Sequence, residues 1–236
     1  MTETRPLGSV PAWIGCLLAA ALAAQIQWQA ASRGNETRAA DLPPAPSARF
    51  LRAASFGEPE LAARVAMLYL QAYDLRGDNA ISYAQLDYAR LIEWLRAIME
   101  TDPRSTYALF TAARVYTEVA EPAKSRAMLE FLHEAFVRDP DRCWPWLAHA
   151  ALVAKHRLGD LPLALRFAEA IDRQARIEAA PLWAKQMQAF VLEEMNELES
   201  ARIMLGGLIA SGQVQDANER RFLEARLRAL ERRLGF

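Results

Sequence analysis

A 37-residue echo through the middle of the chain constrains its fold more than any single motif. Asp102-Pro103 recurs as Asp139-Pro140, and Trp146 recurs as Trp183. Tyr116, Val153 and Phe190 share one beat of that period; Ala127, Ala164 and Ala201 share another. A fixed period of this length, filled with helical patterns, marks stacked helix pairs. One hairpin has more apolar surface than it can bury alone, so its neighbours must cover the rest. Such a stack offers a binding surface and is not in itself a catalyst.

Local signals divide the array. Pro59 opens a helix to about Leu75, with Leu61, Val65, Leu68 and Ala72 on one face and Gly77-Asp78-Asn79 as its end. Further helices are expected over about Ser82–Glu100, Ser105–Val119 and Pro122–Asp139. These are followed by helices over about Trp144–Leu158, Pro162–Arg173, Pro181–Met195, Leu198–Ala210 and Asp216–Leu234. Proline suits a first helical turn and glycine a helix end, which sets most of these limits. No segment alternates with period two for long, so the expected class is all-α. The abundance of Ala and Leu supports this, since both enter helices at little entropic cost.

The run Gly159-Asp160-Leu161-Pro162-Leu163-Ala164-Leu165 resembles the tetratricopeptide family's turn into its second helix, with Ala164 at the small position where two helices touch. The Asp-Pro pairs resemble that family's repeat-ending proline. The likeness is degenerate and covers about Ala84–Ser211. It implies a right-handed superhelical stack in which first helices line a concave groove and second helices form the back. The resulting expectation is a helical-hairpin solenoid of about four such pairs over 56–236, closed by a capping helix at 216–234.

Candidate groove residues follow from the register. In the helix at 144–158, Leu147, Ala150, Ala151, Ala154 and Leu158 suit packing on the partner helix. Trp146, His149, Val153 and His156, with neighbouring Arg157, form another stripe. One repeat later the stripe reads Trp183, Gln186, Phe190 and Glu193; one repeat earlier it contains Leu109 and Tyr116. Stacked, these give an aromatic floor with a few polar groups. Aromatic and arginine anchors carry much of the energy of interfaces. The competing expectation is that the same residues are inter-repeat packing.

Enzyme chemistry finds no motif. GxGxxG, a Walker loop, HExxH, GxSxG and CxxCH are all missing from the sequence. His149 and His156 lie two turns apart, too far to chelate together, and no Cys–His cluster exists, so no metal and no cofactor are expected. Cys16 and Cys143 are not expected to pair. A net charge of −1 gives no nucleic-acid footprint. No small-molecule ligand is evident. In the last helix Leu223, Leu227, Leu230 and Leu234 form one stripe among arginines, which suits a cap or, alternatively, a basic amphipathic helix on an acidic surface.

Residues 1–31 form an apolar N-terminal unit. No charge occurs from Pro6 to Ser32, and Trp13 and Trp28 bracket the run Ala12–Trp28. A membrane anchor through residues 12–28 is the leading expectation; a cleaved signal peptide ending at Ala21-Leu22-Ala23 and a buried core helix are alternatives. Residues 32–55, polar then Pro-rich, read as a spacer. The expected location is a bacterial inner membrane with the array on the periplasmic side. The single Arg5 before the run, against Arg33 and Arg38 after it, keeps the cytoplasmic side open. The whole reads as a membrane-tethered scaffold or assembly factor that binds a protein. The alternatives are an architectural subunit of a membrane complex and a helical envelope enzyme acting on polysaccharide.

Overall fold

The computed structural model describes residues 12–32, 42–73, 83–176, 178–212, 214 and 216–235. Among these residues there are eleven α-helices and no strand. They fall into two compact units, 1–41 and 42–236.

The first unit contains α1 (Ala12–Ser32). Its apolar side chains are distributed all round the helix, and Trp13, Leu17, Leu18, Leu22 and Ile26 are exposed. The expected spanning anchor is not supported. Among the described residues no helix is long and apolar enough to cross a membrane. Gly15, the small alanines, and Gln25, Gln27 and Gln29 dilute the run below what a bilayer core requires.

The second unit is built from α2 (Ala48–Ala54), α3 (Pro59–Tyr73), α4 (Tyr88–Thr101), α5 (Tyr107–Thr111), α6 (Pro122–Arg138), α7 (Pro140–His156), α8 (Leu161–Gln174), α9 (Leu182–Glu194), α10 (Leu198–Ala210) and α11 (Ala217–Leu234). From α6 onward each helix packs chiefly on its sequence neighbours, and α2 with α4, α4 with α6 and α7 with α9 also meet, as a repeat stack requires. Fully buried Leu91, Leu95, Leu109, Leu129, Phe136, Leu147 and Phe167 run through one long core. A second cluster, with Leu205, Leu223 and Leu230, joins α9, α10 and α11.

The aspartates of the echo explain the helix limits. Asp139 ends α6 and starts α7, its side chain accepting from Arg142 N. Asp87, Asp160 and Asp216 cap α4, α8 and α11 in the same way. Proline in the first turn follows at Pro122, Pro140 and Pro162. α7 therefore begins before the expected Trp144, since Pro145 is tolerated inside it. The expected helix 105–119 is α5 continued by a π turn, Ala112–Tyr116.

Two local readings change. α2 was not anticipated, and the Pro-rich segment ahead of it is extended but attached. Leu42 is buried, its carbonyl accepts from Arg90 Nη1 (2.6 Å), and that of Pro43 accepts from Trp94 Nε1 (2.9 Å). In α3 the stripe Leu61, Val65, Leu68 and Ala72 shares one face as expected, and that face is exposed, while Ala63, Ala66, Met67 and Leu70 are buried. That buried side joins the core against α4, and among the described residues of this unit α3 packs on α2 and α4. The turn expected at Gly77-Asp78-Asn79, and residues 33–41 of the expected spacer, lie outside the described residues.

Candidate binding face

Alternate helices share one face of the array. Phe110 on α5 meets Trp146 on α7 edge-on, with ring centroids 6.0 Å apart. Trp144 on α7 meets Trp183 on α9 in the same manner at 5.6 Å, and Phe190 on α9 meets Phe222 on α11 at 6.3 Å. Trp146 and Trp183 thus occupy corresponding places: each lies near the start of a first helix and rests on an aromatic of the first helix before it. Trp144 and Trp146 straddle the exposed Pro145, so α7 offers one indole to each neighbour.

Ion pairs repeat the period. Arg96–Glu134, Arg166–Glu130 and Arg157–Glu118 join positions 38, 36 and 39 residues apart. Lys155 and Glu194 pair at 2.7 Å between α7 and α9. The three arginine pairs are half-exposed and each contributes little stability, about 0–1 kcal/mol; Lys155 is the more buried partner, its side chain 12% exposed. Their placement nevertheless shows that successive repeats are held in a common register.

Two open depressions lie on this face. One, of about 710 Å³, sits between α3, α5 and α7 over Leu68, Tyr107, Phe110 and Trp146, with Arg64, Asp102 and Arg104 on its rim. The other, of about 600 Å³, lies across α7, α9 and α11 over Phe190 and Phe222, bordered by Lys155, Glu193, Glu194, Arg226 and Arg233. Glu193, whose side chain is only 11% exposed, accepts from both Arg226 Nε (2.8 Å) and Arg233 Nη1 (2.9 Å). That carboxylate ties α11 to α9.

The residues expected to bind a partner separate into two groups. Leu109, Tyr116, Val153 and Gln186 are buried and serve the contacts between helices. Gln186 Nε2 donates to Glu219 (2.8 Å), and the Tyr116 carbonyl accepts from Tyr88 Oη (2.8 Å). Trp146, Trp183, Phe190 and Glu193 reach the face, with Trp183 51% exposed. His156 is exposed, and Arg157 pairs with Glu118 and donates to the Val119 carbonyl (3.2 Å). His149 is half-buried beside the π turn and hydrogen-bonded to the Ala113 backbone; its Nε2 is buried without a hydrogen-bond partner. Burial, aided by Arg114, holds its pKa below the usual histidine value.

Phe110, Trp144, Phe222, Arg226 and Arg233 were not anticipated. Of these, Phe110 stands close to one period from its partner, 36 residues before Trp146; Arg226 is 33 residues from Glu193. Cys143 is buried and its thiol is pushed up to about 11 by desolvation, which leaves it unreactive at neutral pH. Among the described residues no group of His, Cys, Asp and Glu has the arrangement of a metal site. Comparison with protein-family models, curated proteins and solved structures finds no match for this chain.

Proposed function

We propose that this chain is an interaction scaffold of tetratricopeptide-like design. On this reading, the face made by α5, α7, α9 and α11 binds a protein partner. The observation that carries it is the set of partly exposed aromatic pairs joining successive first helices. Trp183 and Phe222 remain exposed although neighbouring helices have apolar surface to share. Exposed aromatics beside arginines are the side chains that anchor partners most strongly. The carboxylates around the two depressions are engaged: Glu60 by Arg64, Glu193 by two arginines, Glu194 by Lys155 and Asp102 by the Arg104 N–H. This favours a surface for binding over acid–base chemistry on polysaccharide.

The same reading assigns α1 to membrane attachment. Its apolar residues occupy every side of the helix, and such a surface requires cover from lipid or protein. A bacterial inner membrane with the array on the periplasmic side is the proposed setting. A topology reporter fused after the last residue tests the side.

The binding proposal is tested by affinity capture with the full chain from native membranes. A partner recovered stoichiometrically should be lost at least tenfold with Trp183→Ala, while circular dichroism stays unchanged. Equal recovery by wild type and variant contradicts it.

A further inference from the structure

The two ends of the array are built differently. At the C-terminal end α11 turns Leu223 and Leu230 inward and presents Arg221, Arg228 and Arg232 to solvent. A polar outer face of this kind keeps a stack from associating through its end. The N-terminal end lacks one. On α3, Leu61, Val65 and Leu68 are 56–60% exposed, and Ala72 continues the line. Their steps of four, three and four residues are those of a coiled-coil seam, which selects a helix as its cover. Phe50 is also exposed on α2, and Phe56, in the turn that follows, is 96% exposed. Phe56 also holds a positive φ of 51°, a conformation sparsely populated by aromatic residues. Backbone strain is therefore spent on placing an aromatic ring in solvent.

We propose that this end is an interface between two copies of the chain, with α3 of one packed antiparallel along α3 of the other about a two-fold axis. The seam is complementary to itself. Antiparallel pairing sets Leu61 opposite Ala72 and Val65 opposite Leu68, so the largest residue meets the smallest. Charge favours the same arrangement. The charged residues of α3 are Glu60 and Arg64, paired with each other in its N-terminal half, and residues 65–73 carry none. Antiparallel packing lays the charged half of one helix on the uncharged half of the other; parallel packing would oppose Arg64 to Arg64. Leu61, Val65 and Leu68 offer on the order of 300 Å² of apolar surface per copy, a core for the roughly 800 Å² that each partner gives a standard interface. A two-fold contact of this type closes at two copies and so caps the end without forming a filament.

The test is the mass of the full chain in mild detergent by light scattering, across a hundredfold concentration range. Wild type should be a dimer. The double variant Leu61→Glu/Leu68→Glu should be a monomer with unchanged helicity, since both positions are exposed. Ile203→Glu, at an exposed site on α10, should remain dimeric. Should the double variant lose helicity, Val65→Lys repeats the measurement with a single change. A wild-type monomer at every concentration overturns the proposal. So does a dimer that survives the seam substitutions, which would place the association on α1 or another surface.

Discussion

Positions 109 and 183 separate packing from presentation. Leu109 is wholly buried, so Leu109→Ala should destabilise the array by about 2–5 kcal/mol, read as a shifted denaturation midpoint. Trp183 keeps half its surface in water, and Trp183→Ala should cost less than about 1.5 kcal/mol on the same measurement. The histidines give a pH dependence. His149 and His133 both have folded pKa values lowered from 6.5, in each case first by burial; Arg114 and Arg166 respectively add to it. The groups facing His149 also include Glu118, and those facing His133 include Glu130 and Glu134, which oppose the shift. Between 6.5 and the folded value the unfolded chain binds the extra protons, so stability present above 6.5 is lost as pH falls through that window. Thermal melts from pH 7.5 to 5 should show a falling midpoint, and His149→Gln should flatten part of the slope. A midpoint that rises on acidification contradicts the assignment.

At the scale of elements, the caps and cross-repeat ties set local stability. Asp160 accepts from Leu163 N (3.0 Å) and pairs with Arg126 of the preceding repeat. Asp160→Ala should therefore cost about 1 kcal/mol, the usual value of a lost cap. Glu193→Gln removes the negative charge and one of the two oxygens that hold Arg226 and Arg233 and should raise hydrogen exchange in α11 before α7 or α8 responds. Most helix limits were legible because caps are local: an aspartate, a proline and a glycine act within a few residues. The all-α class and the stacking of neighbours followed from the echo for the same reason. That the α3 stripe shares one face was legible in its four-three-four spacing, but spacing alone does not say whether an apolar face is buried, and this one is exposed. The π turn at Ala112–Tyr116 carried no signal in composition. Among the candidate site residues, the repeat singled out Trp146 and Trp183, which keep exposed surface. Leu109, Tyr116, Val153 and Gln186 share their register, but the next helix covers them, and only the packed structure shows that.

For the whole molecule, consecutive hairpins bury one another and leave alternate helices to form a shared face. A stack of this kind is cooperative through its interfaces, so exchange protection should peak in α7 and α8 and decline toward both ends. Scrambled protection along the chain would argue against a stack. The most direct test of the binding claim places a photo-crosslinking amino acid in the full chain, one position at a time, in native membranes. At Phe110, Trp183 or Phe222 on the first helices it should capture one and the same partner. At Val137 or Ile203, equally exposed on second helices, it should capture none. Capture from Val137 and Ile203 alone, or equally from all five positions, would contradict the assignment of the binding face.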